Sequence, residues 1–206
     1  MIINWYGEGC FKIQTGGVSL LVDPFESSTG LTPPRGKVDI VIKTLTGWPL
    51  KKDEEESTTY IYGSGSYEIQ GVTINGFALP KDSSDTYLKT AYKVVAEDIT
   101  LGFLGHVSED LTPEALDDLH NAQILFVPAG GKPFMGPEAV AKLIKQLNPK
   151  IIVASFFKIP GLKRGGSDTK ALANEIGPKL EELDKLTIRK KEIIEQKGAR
   201  FVSLQV

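Results

Sequence analysis

The sequence predicts an α/β protein in which two β-sheets pack against each other with helices outside. Three observations carry this. Short β-branched runs bounded by Gly and Pro recur along the chain. Amphipathic helical stretches interleave with them, a grammar that builds layers around a common core. The chain has 206 residues, 41% of them hydrophobic and 24% charged, which is enough for a sizeable core with residues 1–206 as one domain.

The elements follow in order. Ile2 to Trp5, Cys10 to Gln14 and Val18 to Val22 read as a meander punctuated by Gly7-Glu8-Gly9 and Gly16-Gly17. Val38 to Ile42 is a nearly continuous apolar run, as in a strand covered on both faces. Lys51 to Ser57 is charged and aperiodic, and reads as an exposed loop or a poorly formed helix. Strands follow at Thr59 to Tyr62, Tyr67 to Ile69, Val72 to Phe77, Tyr87 to Ala96 and Ile99 to Leu104. Thr112 then caps a helix with Pro113 at its first position. Ile124 to Val127 is a buried strand. Gly136 to Leu147 spaces Val140, Leu143, Ile144 and Leu147 for one helical face. Ile151 to Ala154 is a strand, Ser167-Asp168 caps a helix reaching Ile176, and strands at Leu186 to Arg189 and Phe201 to Leu204 close the chain.

Composition narrows the function. The net charge is −2 and the basic residues are interspersed with acidic ones, so nucleic acid is not expected as a partner. The basic run Arg189 to Lys191, ending at Glu192, reads as a solvated strand end. The single cysteine, Cys10, forms neither an intramolecular disulfide nor a cysteine metal cluster. No segment has the apolar length of a membrane span, and a cytoplasmic location without membrane contact is expected.

Several segments in order resemble the short, hydrolase-like branch of the metallo-β-lactamase superfamily that includes sugar-lactone hydrolases. They are Trp5-Tyr6-Gly7-Glu8-Gly9-Cys10-Phe11, Leu20-Leu21-Val22-Asp23-Pro24-Phe25, Gly65-Ser66-Tyr67-Glu68, Phe103-Leu104-Gly105, Val127-Pro128-Ala129-Gly130-Gly131 and Asn148-Pro149-Lys150-Ile151-Ile152-Val153. The resemblance implies a four-layer αββα sandwich of two mixed sheets. It also implies one or two metal ions held between the sheets to activate water.

Residue by residue, the resemblance places the metal ligands on side chains that do not suit a metal. The His-x-His-x-Asp-His motif falls on Leu45-Thr46-Gly47-Trp48-Pro49-Leu50, so its ligand positions are Leu45, Gly47, Pro49 and Leu50. The next histidine falls on Lys81, the bridging aspartate on His106 and the last histidine on Phe156. The chain has only two histidines, His106 and His120, so no other alignment restores a multi-histidine cluster. No metal and no cofactor are expected.

The candidate residues follow from this. His106, at a strand end, suits a general base. Lys81 or Lys158 would then stabilise an oxyanion. Glu8, Lys81, Asp82, Lys158 and His106 would converge on one mouth, either a pocket for a small anion or a solvated rim. Trp48 and Phe156, with Leu45 and Leu50, would fill the former metal cavity or line an apolar cleft. Asp23 is expected to accept backbone N–H bonds in its turn. Gly161 to Ser167, with Lys163 and Arg164, is expected to be a flexible surface loop. The reading expected first is a metal-free, inactive member of the fold that binds a small molecule or a protein. Second is a structural subunit of an assembly such as a homo-oligomer. Third is a hydrolase with a non-standard, His106-based activity, which requires an open pocket.

Overall fold

A computed structural model of the protein describes residues 1–50, 57–120 and 122–206. The loop or helix expected at Lys51 to Ser57 lies, except for Ser57, outside the described residues.

Alternation of apolar and polar side chains builds the first sheet. Strands β1 (Ile2–Trp5), β2 (Phe11–Thr15) and β3 (Val18–Val22) form the antiparallel meander. Ile3, Trp5, Phe11, Ile13, Leu20 and Val22 are buried on its inner face, as a period of two requires. The run before Thr44 forms β4 (Ile40–Lys43), parallel to β3. The chain then leaves this sheet. Strand β5 (Leu45–Gly47) pairs antiparallel with β9 (Tyr87–Ala96) of the other sheet. Strand β6 (Thr59–Tyr62) returns to lie parallel to β4.

The second sheet begins as a meander of β7 (Gly65–Ile69), β8 (Val72–Ala78), β9 and β10 (Ile99–Phe103). It continues in parallel through β11 (Ile124–Pro128), β12 (Ile151–Ser155), and β13 (Leu180–Leu183) with β15 (Arg200–Leu204). The short β14 (Leu186–Thr187) crosses back to pair with β1. Both sheets are therefore mixed, as expected. They meet through aromatic rings: Phe11 packs edge-on against Phe126 at 4.6 Å, and Phe126 stacks on Phe103 at 4.3 Å. The buried hydroxyl of Tyr92 lies 3.2 Å from the Lys43 carbonyl and 3.0 Å from that of Gly63, tying β9 to the end of β4.

The helices stop and start on readable signals. In α1 (Pro113–Leu119) the Thr112 hydroxyl accepts the Ala115 N–H at 3.3 Å. In α2 (Pro137–Leu147) the buried face is Val140, Leu143, Ile144 and Leu147, and Asn148 at φ 51° ends it by donating to the Ile144 carbonyl. Helix α3 (Lys170–Ile176) packs against α2, and Asp168 accepts the Lys170 N–H. The expected strand end at Arg189 to Lys191 is instead the start of α4 (Lys190–Glu195). The Arg189 N–H donates to Glu192, three residues on, which nucleates the first turn. Among the described residues no helix is long and apolar enough to cross a membrane.

Candidate active site

Four strand ends meet at one cleft. Asp23 follows β3, Thr44 follows β4, Leu104-Gly105-His106 follows β10 and Phe156 follows β12. The cleft has a volume of about 600 Å³ and is lined by Glu8, Asp23, Lys43, Leu45, Tyr87, Lys89, His106, Phe134, Phe156 and Arg164, among others.

Its floor is a three-residue chain of hydrogen bonds. The Asp23 carboxylate accepts the Thr44 N–H at 2.7 Å and the Thr44 hydroxyl at 2.6 Å. The same hydroxyl lies 2.7 Å from His106 Nδ1. A hydroxyl has one proton, so when it is given to Asp23 the Nδ1–H must donate to Thr44, and Nε2 keeps its lone pair. Two backbone features permit this approach. Asp23 takes a left-handed φ of 43°. Gly105 sits at φ +56°, where a Cβ would run into the Thr44 side chain. The loop bearing His106 is anchored from below by buried Asp82, which accepts the N–H groups of Ser108 and Glu109 at 3.2 Å and the Ser108 hydroxyl.

Burial sets the protonation. It raises the Asp23 carboxyl above its ordinary range, opposed by His106 and by the Thr44 hydrogen bonds. It lowers the His106 imidazole below its usual value, opposed by Asp23 and reinforced by Lys89. Burial opposes a charge on each group alone, while the charge of each favours that of the other. The lowering that remains on His106 keeps the imidazole neutral, the state a general base requires.

The walls are aromatic and charged. The Phe156 ring lies 4.7 Å from His106 and 4.4 Å from Phe134. Arg164 grips Glu8 in a bidentate pair, donates to the Phe156 carbonyl at 2.9 Å and covers the Phe134 ring at 5.0 Å. The Gly161 to Ser167 segment thus contributes an anchored cleft residue, which corrects its reading as a flexible surface loop.

The sequence-derived candidates divide. Glu8, Leu45, Gly47, His106 and Phe156 line the cleft. Lys81, Asp82 and Lys158 do not. Lys81 and Asp82 face a neighbouring groove beside Leu111, and Lys158 is exposed, its N–H bonded to the Ser167 carbonyl at 2.9 Å. Trp48 and Leu50 do not fill the cavity either. Pairing of β5 with β9 carries Trp48 outward, where it is 58% exposed, its N–H donating to the Thr86 carbonyl. With that ring outside, the cleft stays open at His106.

Thr44, Lys43, Lys89 and Phe134 are the site residues that sequence reasoning missed, and Arg164 is one that it named but gave to a surface loop. Only Thr44 carried a usable signal, as a hydroxyl directly after the buried run Ile40 to Ile42.

These residues do not form the metal centre usual for the fold. Among the described residues no three His, Cys, Asp or Glu side chains come together. Asp23 and His106 are 3.8 Å apart, but Thr44 bonds to both, and Glu8 is taken up by Arg164. That set falls short of the three or four protein ligands of a zinc site.

Two mixed sheets with a cleft at their strand ends define the class as metallo-β-lactamase-like αββα proteins. Residues 2–155 match the beta-lactamase superfamily domain, and the chain belongs to that family. A metal-dependent hydrolase of Methanopyrus kandleri is 20% identical, over 86% of this chain and 93% of the relative. A metal-dependent hydrolase of Chelativorans is 27% identical over 68% and 78%. The structure of a proposed zinc-dependent hydrolase of the metallo-β-lactamase superfamily from Thermotoga maritima superposes with a TM-score of 0.80 at 22% identity, covering 98% of this chain and 97% of that one. These findings correct the expectation of a metal-free, inactive binding module. The relatives matched over most of their length are named metal-dependent hydrolases.

Proposed function

We propose that the protein is a hydrolase of the metallo-β-lactamase-like class whose catalysis centres on His106. The observation that carries this is the Asp23, Thr44 and His106 chain at the floor of an open cleft. His106 Nε2 takes a proton from water as the water oxygen attacks the electrophilic centre of the substrate. The positive charge gained by the ring is balanced through Thr44 by Asp23. The proton then passes from Nε2 to the leaving group as its bond breaks. Lys89 and Lys43, both on the cleft wall, supply positive charge for the oxygen that becomes negative in between. Names carried by the relatives support the reaction class; the two sheets and the cleft at their ends support the place.

Its test is a panel of carboxylic esters, thioesters, lactones and phosphodiesters, assayed with and without added zinc or manganese because the relatives are named metal-dependent. Turnover of at least one panel member by the wild type, lost in His106→Ala with the fold intact by circular dichroism, is expected. Turnover that His106→Ala retains in full contradicts the assignment.

A further inference from the structure

The ribbon of β5 and β9 presents apolar and cationic side chains to the cleft together. Directly paired residues of antiparallel strands share a face, so Leu45 with Lys89, and Gly47 with Tyr87, all look into the cleft. At the inner end Thr90 donates to the carbonyl of Thr44, the residue bonded to His106. Lys89 comes next, loosely held by Asp82 at 3.4 Å and Ser108 at 3.3 Å. Tyr87 follows one strand repeat of roughly 7 Å further out, and Leu45, Phe134 and Phe156 line the same cleft. Leu45 and Tyr87 are each 38% exposed, so their apolar surface is open to an occupant.

We propose that the substrate is an amphipathic anion: an apolar acyl or aryl group joined, close to the bond cleaved, to a negatively charged head. This rests on the hydrolytic role proposed above. The apolar group lies along Leu45 and Tyr87, and the charged head meets Lys89 and Lys43. Two features of the cleft select this occupant over a second copy of the chain. Leu45 and Tyr87 line the same cleft as His106. The cleft lining also carries the cations Lys43, Lys89 and Arg164. Arg164 is paired with Glu8 and Lys89 with Asp82, so Lys43 and the third N–H of Lys89, whose other two go to Asp82 and Ser108, are what the cleft offers a negatively charged head.

Octyl phosphate, titrated into the full chain below its micelle concentration, tests the proposal directly. Isothermal titration calorimetry is the readout. Saturable binding is expected, at least about tenfold tighter than that of inorganic phosphate or of 1-octanol, a gap of ~1.4 kcal/mol or more. Tyr87→Ser and Lys89→Gln should each weaken it about fivefold or more without change in the circular dichroism spectrum. Equal binding of phosphate or of octanol overturns the proposal, as does unchanged binding in both variants. Loss of octyl phosphate binding alongside His106-dependent hydrolysis overturns the substrate class alone. Tight binding without hydrolysis of any panel member supports the class and counts against the hydrolase.

Discussion

Thr44 is the residue on which the site turns. It has no solvent exposure, and its single hydroxyl serves both Asp23 and His106. Replacing it by the nearly isosteric valine keeps the packing and leaves a buried carboxylate oxygen and a buried ring nitrogen unpaired. Thr44→Val should cost about 1–3 kcal/mol in urea denaturation and should lower turnover more than it changes KM, since the hydroxyl acts through His106 and not on substrate. His106 gives a second expectation at this scale. Burial lowers its pKa in the folded state below the 6.5 of a free imidazole. Between those values the unfolded chain binds more protons than the folded one, so stability rises with pH through this window. Stability is fully present above about pH 6.5 and is lost as pH falls toward the folded value. Urea midpoints at pH 5, 6, 7 and 8 should show this loss in the wild type and a flatter profile in His106→Gln.

At the scale of elements, the strands were legible and the ribbon was not. Runs such as Val18 to Val22 and Ile151 to Ala154 announce themselves because burial on a sheet demands alternating or continuous β-branched side chains. Leu45 to Gly47 has no such run. It is a strand only because β9 extends past its neighbours and offers an edge, a partnership 40 residues distant that no local pattern records. The same reason hid Lys89 and Phe134, which reach the cleft from separate elements. His106 was legible because it directly follows a clear strand end. Lys81 was misplaced by the resemblance, since the short turn at Pro80–Asp82 faces Leu111 and leaves the cleft wall to β9. Two expectations belong here. Gly105→Ala places a methyl group against Thr44 at a left-handed φ and should cost on the order of 1–3 kcal/mol, seen as a lower Tm. Trp48→Ser, on an exposed ribbon end, should leave Tm within about 2 °C of the wild type.

At the scale of the whole molecule, two mixed sheets bring the ends of β3, β4, β10 and β12 to one opening, where loops can vary without disturbing the core. Leu45, Gly47 and Phe156, on which the resemblance places metal ligands, line that opening as an apolar wall beside His106. Within the cleft the side chains form a hydrogen-bonded base, an aromatic cluster and lysines. The central claim is that His106 performs the proton transfer of a hydrolytic reaction there. It is tested most directly by kcat/KM for the best substrate in the panel, wild type against His106→Ala. A fall of about 100-fold or more, with the midpoint of urea denaturation at pH 8 preserved, is the predicted result. A value within about twofold of the wild type would contradict it.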